Sequence, residues 1–140
     1  MNWQAWTILS ATFAALTAIL AKIGIQNINS DFATFIRTGV VLVALAVILL
    51  TTGQFQRLDS VPARSYLFLT LSGLATGASW VCYFRALKMG SASLVAPMDK
   101  LSGVLVAIIG VLFLGEKLTP RNWTGIALIT LGAVLVGFKR

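Results

Sequence analysis

An all-α integral membrane fold with five transmembrane helices is what this sequence predicts, and three observations predict it. Of the 140 residues 58% are hydrophobic and only 11% are charged, whereas a soluble domain carries about 25% charged residues. The apolar residues gather into five runs, at 3–23, 32–50, 66–87, 94–114 and 123–138, of 21, 19, 22, 21 and 16 residues. The charges lie mostly between these runs, so no water-solvated surface can be built around them.

A helix rises about 1.5 Å per residue and the hydrocarbon core is about 30 Å thick, so each of the first four runs crosses unaided. The first begins at Trp3 with no basic stretch before it and is longer than the apolar core of a signal peptide, so it is expected to remain as a span. A polar link at 24–31 follows, and its Asp31 is a candidate cap for the second span. The longest link, 53–65, carries Pro62. The link at 88–93 is so short that the third and fourth spans must be antiparallel neighbours. Pro120 stands where a fifth helix can begin. That last run is the shortest, and it reaches across if Arg121 and the Lys139–Arg140 end extend it and snorkel to the headgroups. There is no linker, low-complexity tract or internal repeat, which predicts a single domain over 1–140.

Alternation of the spans places the N-terminus and the second and fourth links on one face. Trp3, Trp6, Tyr66 and Trp123 then fall at span ends on that face, as an interfacial aromatic belt. The same face holds Arg57, Arg64, Lys117 and Arg121. The opposite face holds Lys22, Arg37, Arg85, Lys88, Lys139 and Arg140, with Lys100 nearby. The small excess favours a cytoplasmic C-terminus, and so near a balance permits insertion both ways.

The net charge of +7 does not point to nucleic acid. The cations sit beside spans, where they meet anionic lipid headgroups, and form no basic stripe interleaved with aromatics. With no His and the single Cys82, a zinc or haem site has almost nothing to build on, no cofactor is expected, and an intrachain disulfide is ruled out. No nucleophile has a base beside it and no two carboxylates are paired, so the residues give no catalytic site and the chain is read as a non-enzyme.

Asp99 is the one acid within an apolar run, next to Lys100 and just after Pro97. A charge near a helix centre costs about 2.5–3.5 kcal/mol on insertion scales, less towards the ends, and usually faces a cavity or a partner. Arg37 lies at a similar depth in the second run, with Lys22 and Arg85 nearer the surface. One reading is a polar layer of Lys22, Arg37, Arg85, Asp99 and Lys100 lining one mouth of a substrate path. The plainer alternative is that Asp99 neutralises one cation while the others snorkel, and for Lys22, Arg85 and Lys100 the plainer alternative is preferred.

Pro97 removes a backbone donor and loosens the turn back to Ser93, which kinks the helix unless the proline sits harmlessly in its first turns. Gly73 and Gly77 form a GxxxG pair, and Gly103 and Gly110 lie on a stripe of the fourth run; small faces of this kind serve packing within the chain or a seam between chains. Trp80 and Tyr83 lie deeper than the headgroup belt and either line a pocket or fill the core.

The stretch Tyr83-Phe84-Arg85-Ala86-Leu87-Lys88-Met89-Gly90-Ser91-Ala92-Ser93-Leu94-Val95-Ala96-Pro97 resembles the join of the third and fourth helices in EamA-type proteins of the drug/metabolite transporter superfamily. Leu112-Phe113-Leu114-Gly115-Glu116-Lys117-Leu118-Thr119 is similar to that family's LGE-K/R-L-T signature, and the run from Trp123 to Gly132 to its last helix. The motifs are structural and leave the substrate open. Typical members have ten helices in two oppositely inserted five-helix repeats, so the resemblance implies a single repeat that needs a second copy in antiparallel orientation. It further implies a secondary transporter in a prokaryotic plasma membrane, working by alternating access with its site near the midplane. The excess of Arg and Lys over Asp99 suggests a small polar metabolite with an anionic group. The four-helix multidrug exporters of the same superfamily depend on a Glu in the first helix, and this first run has no acid. A non-transporting assembly or regulatory subunit is the alternative expectation.

Overall fold

A computed structural model describes residues 2–138, so the expected snorkelling of Lys139 and Arg140 lies outside the described residues. Six α-helices cover most of the chain: α1 Trp3–Gly24, α2 Ser30–Thr52, α3 Ala63–Met89, α4 Ala92–Asp99, α5 Leu101–Phe113 and α6 Pro120–Gly137, with a short 3-10 turn at Leu58–Ser60. Taken together as Ala92–Phe113, α4 and α5 form one membrane-length run; with α1, α2 and α3 this gives four runs long and apolar enough to cross a bilayer. The fifth helix, α6, has 18 residues. The fold is therefore an all-α membrane protein of five helical passes, the fourth of them in two pieces.

Polar residues flank the apolar runs and set the starts of α2 and α6. Asn29, not Asp31, caps α2. Its side-chain oxygen accepts the N–H groups of Asp31 at 2.8 Å and Phe32 at 3.2 Å, leaving Asp31 in the first turn. Asn29 stands just outside the helix, where its side chain reaches those orphan donors, and the Asp31 carboxylate within the first turn instead meets the positive end of the helix dipole. Asn29→Ala is expected to cost about 1 kcal/mol, read as a lower melting temperature of the detergent-solubilised protein. Thr119 caps α6, whose first residue is Pro120. Gly53, at φ 66°, and Gly115, at φ 68°, end α2 and follow α5 in the left-handed conformation that a Cβ disfavours. Past Gly115 the chain folds back, and the Glu116 N–H donates to the Gly110 carbonyl at 3.1 Å.

Threonines inside the helices bond their hydroxyls to the carbonyl one turn back, as Thr34 does to Ser30 at 2.9 Å and Thr130 to Ile126 at 2.8 Å. This satisfies the hydroxyl without any partner from outside the helix, the condition lipid imposes.

The chain divides into two compact units. One comprises α1 up to Lys22 and everything from Met89 onward, where α6 packs along α4 and α5. Close approach is made by small residues: Ala18, Ala133 and Gly110 are buried, and a Cβ added to Gly137 would run into Met98. The other unit, Ile23–Lys88, holds α2 and α3, with Ile25, Ala33, Thr34, Phe84 and Leu87 buried. Most other large apolar side chains are exposed, Phe35 at 74% and Leu105 at 60% among them. Water could not tolerate such a surface; acyl chains solvate it.

Candidate functional site: a cationic seam between two helices

Within the α2–α3 unit three contacts join α3 to α2 and to the turn before it, and their partners run in opposite directions along the chain. Lys88 donates to the Ile28 carbonyl. Further in, Arg85 makes a two-pronged pair with Asp31, Nε to Oδ1 at 2.9 Å and Nη2 to Oδ2 at 2.6 Å. Deeper still, the Arg37 guanidinium lies 4.2 Å from the centre of the Trp80 ring and 5.6 Å from that of Phe84. Together they form an antiparallel ladder whose rungs all carry a cation.

Arg37 is seven residues into α2, about 10 Å along the helix axis. Of the three cations at least a full turn inside a membrane-length run, Arg85 has Asp31 and Lys100 has Asp99. Arg37 has no carboxylate among the described residues and is held by rings. A cation over an aromatic face is stabilised by about 2 kcal/mol when desolvated. Ring contact covers the flat face of the guanidinium and leaves its in-plane N–H edge, the edge that receives a carboxylate or phosphate. Tyr83 is half-buried beside Phe84, their rings meeting edge-on with centres 6.5 Å apart.

Lys22, Pro97, Asp99 and Lys100 fall in the unit that holds α1, α4, α5 and α6. Lys22, at the end of α1, donates to the Gly90 carbonyl at 2.7 Å. Asp99 and Lys100 stand where α4 gives way to α5, with Lys100 Nζ 3.8 Å from the carboxylate. Neighbours in sequence do not face each other on a regular helix, and here the helix is interrupted between them. Lys100 N–H donates to the Pro97 carbonyl at 3.1 Å and Gly103 N–H to the Lys100 carbonyl at 3.0 Å, three-residue steps in place of four. The Ser102 hydroxyl takes up the Asp99 carbonyl at 2.7 Å. Pro97 is three residues before the interruption and inside α4.

Nothing lies within 4 Å of where a Cβ would stand on Gly73, Gly77 or Gly103, while at Gly110 that position is 2.8 Å from the Glu116 carboxylate. Trp80, Phe84 and Arg37 come together on one face of the α2–α3 pair, and Arg85 sits one turn nearer the helix end. Asp31 is the functional candidate that the sequence alone misses. Its position at the edge of a run reads as a loop acid, and only the pairing with a residue 54 positions away assigns it to the seam.

Long apolar helices around a cationic, aromatic-lined seam define a multi-pass membrane protein. The comparison with known sequences gives the family: residues 1–138 match the EamA-like transporter family, and the chain belongs to it. An uncharacterized transporter in a cobO 3' region of a Sinorhizobium species is 62% identical over 135 residues, 96% of each chain. A probable 4-amino-4-deoxy-L-arabinose-phosphoundecaprenol flippase subunit, ArnE, of Yersinia pestis (strain Pestoides F) is 32% identical over 71 residues, which are 51% of this chain and 62% of that one. The corresponding protein of Yersinia pseudotuberculosis (serotype O:1b, strain IP 31758) matches to the same extent. No solved structure matches.

Proposed function

We propose that the chain is one half of a secondary transporter of the prokaryotic plasma membrane. Two copies in opposite orientation carry a small polar metabolite with an anionic group by alternating access. The observation that carries this reading is Arg37, a cation inside a span whose partners are two aromatic rings and no acid among the described residues. Such a charge is costly in lipid and by default faces a cavity or a partner. A site between inverted halves needs two five-helix units, and a second copy would supply the other. The near-even distribution of Lys and Arg over the two faces suits insertion in both senses, with the small excess towards a cytoplasmic C-terminus.

The ArnE relatives favour a second reading in one respect. They are named as subunits, and of a flippase whose substrate carries a phosphate. A partner chain of the same fold in place of a second copy would then complete the site, and the phosphate would be the group that Arg37 receives.

The test is thermal stabilisation of the solubilised protein against separate pools of anionic metabolites, amino acids and lipophilic cations. A ligand that binds only the folded state raises the melting temperature with its concentration. The expected outcome is a shift from the anionic pool alone, lost in Arg37→Ala. A shift from the cation pool alone overturns the reading. A shift that appears only after co-purification with another chain replaces the homodimer by the heteromeric form.

A further inference from the structure

Along the α2–α3 seam Lys88, Arg85 and Arg37 follow one another, and Asp31 is the one carboxylate paired into it among the described residues. The Asp31–Arg85 pair lies at the mouth, with the two side chains 44% and 57% exposed. A pair this open to its surroundings contributes little to holding two helices together, and the Lys88 contact with the Ile28 carbonyl already joins the same two ends. What the pair does is occupy the Nε–Nη2 edge of Arg85 with two oxygens at 2.9 and 2.6 Å. A carboxylate or phosphate from outside would dock on that same edge with the same spacing. Arg37 stands further along the same seam, against the rings of Trp80 and Phe84 and about 9 Å along α2 from Asp31, as the next cation for an anion leaving Arg85 inward.

We propose that Arg85 is the first docking point for the transported anion and that Asp31 is its built-in competitor, a tethered carboxylate that the incoming oxyanion must displace before it passes to Arg37. The proposal rests on the reading that the substrate carries an anionic group. Asp31 then acts as a selectivity filter. A spherical halide cannot match two parallel N–H bonds and leaves Asp31 in place, whereas a planar or tetrahedral oxyanion exchanges with it. The first turn of α2 gives the displaced carboxylate somewhere to rest, beside the positive end of the helix dipole.

The experiment is a melting-temperature titration with inorganic phosphate, glycerol 3-phosphate and succinate, each against chloride at matched ionic strength. It compares the full-length wild type with Asp31→Asn, Arg85→Gln, the double variant, Arg37→Ala, and Asp59→Asn. The last removes the same charge from the Arg57–Asp59 pair of the exposed 53–65 link and so controls for net charge. Asp31→Asn is expected to bind at least one oxyanion about fivefold more tightly than wild type, the order that loss of an exposed competing pair supplies. Asp59→Asn should be unchanged, and the gain should vanish in the double variant. Asp31→Ser, read the same way, covers the case in which the Asn variant does not melt cooperatively.

No tightening in Asp31→Asn, equal tightening in Asp59→Asn, or tightening that survives Arg85→Gln each overturns the proposal, as does failure of all three probes on every variant. Wild-type binding that depends on Arg37 and ignores Asp31 leaves the transport reading standing and removes only the competitor. Tightening in Asp31→Asn that survives Arg37→Ala does the reverse.

Discussion

Arg37→Ala is expected to abolish transport while leaving the protein inserted and folded. The substitution removes a charge whose burial lipid opposes, so insertion should become easier by part of the roughly 2.5–3.5 kcal/mol that a central charge costs. Against that stands the lost contact with Trp80 and Phe84, at most about 2 kcal/mol. The two nearly cancel, so expression and melting temperature should move little, and transport should fall to background. Arg37→Lys sharpens the result. An ammonium keeps the charge but lacks the planar fork and stacks less well on an indole, so a site that uses the guanidinium edge loses most of its activity even with charge conserved. Full activity in Arg37→Lys with none in Arg37→Ala would mean that charge alone matters. Full activity in both would remove Arg37 from the site. The measurement is uptake into proteoliposomes of whichever anionic compound stabilises the protein, with insertion checked by extraction and melting.

A reporter fused after Arg140 is expected to be active on both sides of the membrane. A cytoplasmic fluorescent reporter and a periplasmic phosphatase reporter should each give signal from the same chain, in comparable amounts. The physical ground is the charge count: Arg57, Arg64, Lys117 and Arg121 on one face stand against Lys22, Arg37, Arg85, Lys88, Lys139 and Arg140 on the other. Orientation follows the Lys and Arg bias, and a bias this small leaves both insertions populated. Adding two lysines to the 53–65 link should collapse the mixture to one orientation and, if the antiparallel pair is the working form, stop transport with it. Signal on one side only in the unaltered chain excludes a dimer of opposed copies and moves the partner to a different chain.

The passes were legible because lipid imposes a length, and a run of 19 or more apolar residues has few other uses. Ends were less legible. Asp31 read as a cap because acids favour that position, yet the helix begins earlier and Asn29 accepts the first free N–H groups, Asp31's own among them; sequence pattern gives both residues similar weight. The Asp31–Arg85 pair was invisible for a different reason: two charges 54 positions apart meet only after two helices have taken a register. The cluster of Arg37 with Trp80 and Phe84 lay between these cases. Each residue could be singled out as unusual within its span, but their common face is a property of the pair of helices. Pro97 drew attention to the fourth pass, while the interruption falls at Lys100, where two adjacent charges come together.

That interruption bears on how the protein meets membranes of different thickness. A continuous helix answers a change in hydrocarbon depth by tilting along its whole length. The fourth pass is two rods, Ala92–Asp99 and Leu101–Phe113, joined at a single residue and both packed along α6, so a mismatch that bends the pass would bend it there. Acyl-chain length would then be a handle on Lys100 and its neighbour Asp99, the ion pair that lies at this join.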